Sequence, residues 1–149
     1  MPVPNPAPIL VALGALFWAS AAAAAPDAPS LAVEVEITDR AADAPARQAL
    51  SVTLTLAGER DCSSASVRHR DGESYDVHVC RTGDVPGLVG LSFEIRRRAS
   101  IDGRMTTQQF KPRLQMALGK PVVIAQLLQA DKSKTVLRAH VEPVGGPEN

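Results

Sequence analysis

Aromatic side chains are scarce in this 149-residue chain, at 3% of the residues. Grooves for single-stranded nucleic acid and carbohydrate-binding surfaces depend on aromatic platforms on which bases or sugars stack. Phe17 and Trp18 lie in an apolar N-terminal segment. The aromatic residues left for a folded domain are Tyr75, Phe93 and Phe110. The composition therefore argues against both classes of binding protein and predicts an aliphatic core.

A net charge is also missing, because 16 basic and 16 acidic residues cancel. A nucleic-acid-binding domain normally carries a stripe of excess positive charge, so this balance argues against nucleic acid as a partner. The charges are unevenly distributed along the chain, and residues 1–26 contain none of them.

The uncharged N-terminus contains an apolar run from Ile9 to Ala25 that ends in small residues. Such a run, followed by small residues at positions −3 and −1 of a cleavage site, is typical of a secretory signal peptide. Ala22 and Ala24 fit these positions, so we predict cleavage after Ala24. The segment departs from the usual pattern because no Lys or Arg precedes the run.

A retained membrane anchor is the alternative to a cleaved signal peptide. A membrane-spanning helix needs about 20 mostly apolar residues, and this run is shorter and fades into alanine and serine. We therefore expect a periplasmic or secreted protein with no stable membrane insertion after processing. The predicted organisation is a signal peptide at 1–24, a flexible N-terminus at 25–30, a β-sandwich domain at 31–143 and a disordered tail at 144–149.

Cysteine is limited to Cys62 and Cys80. In an exported chain, two cysteines most simply form one disulfide. A disulfide that closes a loop of this length is worth about 3 kcal/mol in the chain-entropy model. A redox-active pair is the less favoured interpretation, because the spacing is not Cys-x-x-Cys.

The period-2 alternation of a β-strand dominates after residue 30, and no long helical periodicity competes with it. Apolar and polar residues alternate over Leu31–Ile37, Leu50–Leu56 and Leu91–Ile95. Arg81 to Gly87 is predicted as a loop, and Pro112 as an edge position or a bulge. Short strands separated by turns predict an all-β fold, an antiparallel β-sandwich or small barrel of about eight strands.

The segment around residues 70–72 predicts the register of its own hairpin. A three-residue loop, with Gly72 in the left-handed conformation, sorts the apolar and polar side chains of the flanking strands onto separate faces. A two-residue loop mixes the faces. The three-residue register also sets Cys62 directly opposite Cys80, so two independent criteria select the same alignment.

Three histidines, His69, His78 and His140, are candidates for a metal site. In the predicted register His69 and His78 lie on opposite faces of one hairpin, so they do not converge on one ion. No Cys or carboxylate stands at a familiar zinc spacing to them. We therefore expect no metal and no cofactor.

Ser63, Ser64 and Ser66 suggest a nucleophile, although the chain has no Gly-x-Ser-x-Gly elbow. A hydrolase needs such a hydroxyl within hydrogen-bond reach of a base. In the predicted register His78 lies opposite Ser64. Without a nucleophile elbow, we predict a domain without catalytic activity.

The run Arg96-Arg97-Arg98 is the dense basic motif of the sequence. On a strand, Arg96 and Arg98 point to one face and Arg97 to the other. The three side chains therefore do not form a flat patch. A solvated strand end is the simpler interpretation, and contact with an anionic surface is the alternative.

The uncharged segment Val122 to Leu128 is predicted to pair with the preceding strand through a turn at Gly119-Lys120. In that arrangement Val122, Ile124 and Leu128 point away from the core. Either another part of the chain covers them, or they form an apolar strip that binds a partner, for example by strand addition at a sheet edge.

Together these features predict an exported, non-catalytic β-domain that acts as a binding or assembly module in the periplasm or outside the cell. Its expected partner is a protein. The alternatives are a small β-barrel that carries an apolar ligand and a secreted enzyme or enzyme inhibitor.

Overall fold

The computed structural model describes residues 29–101 and 103–145. The predicted signal peptide and most of the predicted C-terminal tail lie outside these residues. Nine β-strands and no helix are present in the described residues. No helix that is long and apolar enough to cross a membrane occurs among them.

The strands form two antiparallel sheets. In chain order they are β1 (Leu31–Arg40), β2 (Arg47–Leu56), β3 (Cys62–Arg68), β4 (Ser74–Arg81), β5 (Val89–Ile101), β6 (Arg104–Phe110), β7 (Arg113–Met116), β8 (Val122–Leu128) and β9 (Lys134–Pro143). The first sheet has the order β2-β1-β9-β8, and the second has the order β3-β4-β5-β6, with β7 also paired to β5. The prediction of an all-β antiparallel fold is confirmed, with nine strands rather than about eight and with two sheets that do not close into one barrel.

A single aliphatic core lies between the two sheets. Alternate residues of β1 and β9 from the first sheet meet alternate residues of β4 and β5 from the second. Each large aliphatic side chain buried in this way contributes about 1.5–3 kcal/mol relative to exposure. The largest side chains with less than 2% exposure are Tyr75, Leu31, Ile37, Leu56, Leu91, Ile95, Met116, Leu137, Val33, Val35, Val77 and Val79.

The hairpin of β3 and β4 has the predicted register. Cys62 pairs with Cys80 across the strands, and the two form a disulfide. Gly72 has a φ of 88°, the left-handed conformation that the three-residue loop requires. The disulfide indicates an oxidising compartment.

The hairpin of β8 and β9 repeats the same loop with a different residue in the strained position. Lys132 has a φ of 64°, and its backbone N–H donates to the carbonyl of Gln129 at 3.0 Å. Asp131 accepts a hydrogen bond from the backbone N–H of Ser133 at 2.9 Å. A left-handed conformation costs a residue with a Cβ about 1–2 kcal/mol, so Lys132 stores a small amount of strain.

Pro112 divides what the sequence predicts as one strand into two. Both β6 and β7 pair with β5, one after the other along the same edge. Between them the carbonyl of Pro112 accepts a hydrogen bond from the backbone N–H of Phe93 at 2.9 Å. The edge ladder therefore continues past a residue that has no N–H to donate.

Candidate functional site

A cleft of about 370 Å³ opens at one end of the sandwich. The ends of β1 and β5, the start of β6 and the β3–β4 and β8–β9 loops surround it. Most of its lining is polar or charged: Asp39, Arg40, Ala41, Asp71, Glu73, Arg97, Ala99, Ser100, Thr106, Gln108, Gln129, Ser133, Lys134 and Thr135.

An ion cluster centred on Arg97 lies at the base of the cleft. The Arg97 guanidinium donates to both carboxylate oxygens of Asp39, from Nη1 at 2.9 Å and from Nη2 at 2.6 Å. Its Nε donates to Glu73 at 2.6 Å, and Thr135 Oγ1 donates to Asp39 at 2.8 Å. Asp39 belongs to the first sheet, while Arg97 and Glu73 belong to the second and its β3–β4 loop. The cluster therefore links the two sheets.

Asp39 and Arg97, the central pair of the cluster, are both held in their charged forms. Burial alone would raise the pKa of Asp39, but hydrogen bonds from Arg97 and Thr135 and nearby positive charges hold it below its ordinary value. Burial would likewise lower the pKa of Arg97, yet its bonds to Asp39 and Glu73 raise it above the ordinary value. Neither group changes protonation near neutral pH, so this pair is suited to holding the sheets together rather than to acid–base catalysis.

The ring of Tyr75 packs against the ion cluster. Its ring lies 5.5 Å from the guanidinium carbon of Arg97, a cation–π distance. On another side, His69 meets the ring edge to face with 5.6 Å between ring centres. Burial raises the pKa of the Tyr75 hydroxyl well above its ordinary value. An aromatic floor and two carboxylates thus fix the position of the guanidinium.

A buried arginine, Arg81, links the sheets at the opposite end of the sandwich. Arg81, whose side chain is 3% exposed, is the last residue of β4 and not part of a loop as predicted. Its Nη1 donates to the carbonyl of Pro29, just before β1, at 3.0 Å, and its Nη2 donates to Asp84 at 2.5 Å. This hydrogen bond lowers the pKa of Asp84.

The three consecutive arginines behave as the strand alternation predicts. Arg97 enters the ion cluster with a side chain that is 13% exposed, whereas Arg98 is exposed. Arg96 lies on the outer face and contacts Glu94 at 3.8 Å. The sequence predicted these orientations but not the partners of Arg97.

The outer face of the β3–β4 hairpin carries a second polar group of residues. Ser64 and His78 pair across the strands, and Ser64 Oγ lies 2.6 Å from His78 Nδ1. The other ring nitrogen, His78 Nε2, lies 3.1 Å from Cys80 Sγ of the disulfide. Ser64, His78 and Cys62 are all exposed. We call Cys62, Ser64, His78 and Cys80 the disulfide face.

The disulfide face meets one requirement of a hydrolase, since a hydroxyl and an imidazole are within hydrogen-bond reach. In a catalytic triad, however, the second ring nitrogen is oriented by a carboxylate. Here it faces the sulfur of Cys80. The pair also lies on an open sheet face with both side chains exposed. This arrangement favours chemistry at sulfur over acyl transfer.

The histidines occupy three separate surroundings. His69 packs on Tyr75, His78 contacts Cys80, and His140 lies 3.4 Å from Glu142. His78 and the two cysteines have ligand-type atoms within 4.8 Å of one another. Because the two sulfurs are bonded to each other, this group is a disulfide with a neighbouring imidazole.

The three residues of the predicted apolar strip do not all lie on the same face of β8. β8 pairs with β9, not with β7 as predicted, and a β-bulge between Val123 and Ala125 shifts the register. Val122 and Ile124 consequently pack against the core. Leu128 is 72% exposed, and Val123 is 43% exposed. The face assignment of Val122 and Ile124 is therefore wrong, whereas Leu128 points outward as predicted.

β8 forms one edge of the first sheet and has no charged residue, in contrast to the other described edge strands, each of which contains an arginine. The hairpin begins with a hydrogen bond from the backbone N–H of Gln129 to the carbonyl of Ser133 at 2.9 Å. Antiparallel ladders alternate between bonded and non-bonded pairs. The backbone groups of Gln126 and Leu128 therefore point to the free edge.

No family model, curated protein or solved structure matches this chain. The cleft, the disulfide face and the β8 edge are the candidate functional features of the described residues. Sequence reasoning missed the two inter-sheet arginines, Arg81 and Arg97. An arginine that alternates in phase with core residues, as Arg97 does after Phe93 and Ile95, is a signal that could have found one of them.

Proposed function

We propose that this protein is an exported, non-catalytic β-sandwich domain, periplasmic or secreted, that binds a protein partner by strand addition along β8. The observation that carries the proposal is an uncharged edge strand with outward backbone groups at Gln126 and Leu128. Soluble proteins normally protect such edges with charges or prolines. β8 has neither, and the part of this edge beyond its bulge, from Gln126 to Leu128, is suited to pairing with an extended segment of another chain.

The chemistry around β8 describes the segment that would fit. Leu128 and Val123 present apolar side chains on the outer face. On β9 they are paired with Lys134 and Arg138 respectively, and both of these basic residues are exposed. An extended segment that places both apolar and acidic side chains on this outer face, at every second position of the added strand, matches this surface in shape and in charge.

The other functions considered have less support. A carrier of an apolar ligand needs an apolar chamber, and aliphatic side chains from both sheets fill the space between them. An enzyme that uses Asp39 needs that carboxylate free, and Arg97 holds it in a bidentate pair. Export is supported by the disulfide and by the uncharged apolar N-terminus.

A photo-crosslinking residue at Gln126 tests the proposal in the exported fraction of the producing cell. We expect a discrete adduct with one protein of different sequence, identified by mass spectrometry. The matched control carries the crosslinker at Thr53, an exposed residue on β2, the opposite edge of the same sheet. Equal labelling from Thr53, or no adduct from Gln126, would contradict strand addition at β8.

A second variant shows whether the backbone itself makes the contact. Gln126→Pro removes the N–H that points to the free edge and leaves the β9 ladder intact. With the crosslinker at Leu128, this change should abolish the adduct without altering the urea midpoint of unfolding. An adduct that survives Gln126→Pro, or one between two copies of this chain, would exclude the proposed partner.

A further inference from the structure

The disulfide of this domain is placed where reagents reach it. Cys62 lies on β3, an edge strand of the second sheet, and is exposed on the face away from the core. Cys80 is half-buried on the neighbouring strand. A thiolate that approaches from solvent therefore meets the sulfur of Cys62 before that of Cys80.

An imidazole lies in contact with the sulfur that would leave. His78 Nε2 is 3.1 Å from Cys80 Sγ, and Ser64 Oγ is 2.6 Å from His78 Nδ1. When the Ser64 hydroxyl donates to Nδ1, the ring proton is on Nε2, where it faces the sulfur. A disulfide opens faster when its leaving thiolate is stabilised, and an adjacent donor of this kind provides that stabilisation.

We propose that Cys62–Cys80 is a thiol–disulfide exchange site in which His78 is the catalytic donor to Cys80. The co-reactant is a dithiol in the same compartment. This role is independent of strand addition at β8, because the two sites lie in different sheets.

One thiol of the dithiol loses its proton to water, and its thiolate forms a bond to Cys62 Sγ while the Cys62–Cys80 bond breaks. The electron pair of that bond goes to Cys80 Sγ, whose thiolate accepts a hydrogen bond from His78 Nε2–H and then takes a proton from water. The second thiol of the dithiol then attacks its own partner sulfur and releases Cys62 as a thiolate. The dithiol is oxidised to a disulfide, and its two protons, carried through water, end on Cys80 and Cys62, which are both thiols.

The test uses the full chain, purified with its disulfide intact, and dithiothreitol as the probe without denaturant. Samples are quenched by alkylation, and reduction is followed by mass. The chain contains only these two cysteines, so the mass change is unambiguous. We expect His78→Leu, which removes the donor, to slow reduction about tenfold, the effect of one hydrogen bond to a charged group. His140→Leu, on the other sheet, should react at the wild-type rate.

Two further measurements separate catalysis from a structural role. With glutathione in place of dithiothreitol, peptide mapping should find the mixed disulfide on Cys62. The urea midpoints of the oxidised His78→Leu and wild-type proteins should agree, because His78 is exposed.

Three outcomes would overturn the proposal. The first is wild-type reactivity of His78→Leu, and the second is glutathione attached to Cys80. The third is a reduction rate that becomes independent of dithiothreitol concentration, because the disulfide then opens only through unfolding of the hairpin.

Discussion

Replacing Arg97 by methionine removes the cation between Asp39 and Glu73 and keeps an apolar stem over the ring of Tyr75. Two carboxylates, 22% and 8% exposed, then face each other without that guanidinium. Removing one partner of a buried ion pair costs about 3–5 kcal/mol. Arg47, which is 62% exposed, remains nearby and offsets part of this cost. We therefore expect a loss of about 3 kcal/mol in the free energy of unfolding.

The measurement is urea unfolding at pH 7, followed by circular dichroism. Arg96→Met is the matched control, because Arg96 is the neighbouring residue and makes a surface ion pair at 3.8 Å. Such pairs are worth less than about 1 kcal/mol. If Arg97→Met costs no more than Arg96→Met, the cluster does not hold the sheets together and the reasoning is refuted.

A double variant tests the same ion pair more sharply, because the effect of Asp39→Asn on the free energy of unfolding should differ between the two backgrounds. In the wild type, Asp39→Asn should destabilise the fold because it removes a charge that Arg97 binds. In the Arg97→Met background the same change should be neutral or stabilising, because it removes an uncompensated buried charge. Destabilisation in both backgrounds would show that the two residues act independently.

The pH dependence follows from the lowered pKa of Asp39. A carboxyl whose pKa is lower in the folded state adds stability that is complete above its unfolded pKa and is lost as the pH falls through the folded one. The stability gap between wild type and Arg97→Met should therefore narrow as the pH falls below about 4. A gap that stays constant down to pH 2 would contradict the assignment.

Three other changes test local features. Lys132→Gly should raise the free energy of unfolding by about 1 kcal/mol, because it relieves a φ of 64°; unchanged urea midpoints would contradict this. Gly90→Ala should lower the free energy of unfolding by about 3 kcal/mol, because its Cβ would lie 2.1 Å from the carbonyl oxygen of Gly83. Gly58→Ala, which has open space around it, should lower this free energy far less. Tyr75 is the only tyrosine, and its pKa is raised by burial. The folded protein should thus show no tyrosinate absorbance above pH 10 until it unfolds, and the stability contribution of this group should fall as the pH rises beyond that value.

The sequence was most informative where structure is local. The register of the β3–β4 hairpin followed from the sorting of faces and from the two cysteines, all within one short segment. The strand alternation also predicted that Arg97 points away from Arg96 and Arg98. These inferences needed only the period of a strand and the geometry of one loop.

Errors arose where pairing is decided by distant residues. Gly119-Lys120 has the composition of a hairpin turn, yet β7 pairs with β5 and β8 pairs with β9, so the chain changes sheets at this turn. The bulge before Ala125 then reverses the faces of Val122 and Ile124. The partners of Arg97 were equally hidden, since Asp39 is 58 positions away in the sequence. Neither the pairing of these strands nor the partners of Arg97 can be predicted from the residues next to them in the sequence.

The positions of the two inter-sheet arginines explain why the proposed sites can vary without loss of the fold. Arg97 ties the sheets together at the cleft end through Asp39, and Arg81 does so at the other end through Pro29. The free edge of β8 and the disulfide face lie outside both links. Changes at Gln126 or His78 should therefore alter binding or exchange while stability is retained, and changes at Arg97 should lower stability first. Variants at these three positions consequently separate function from folding.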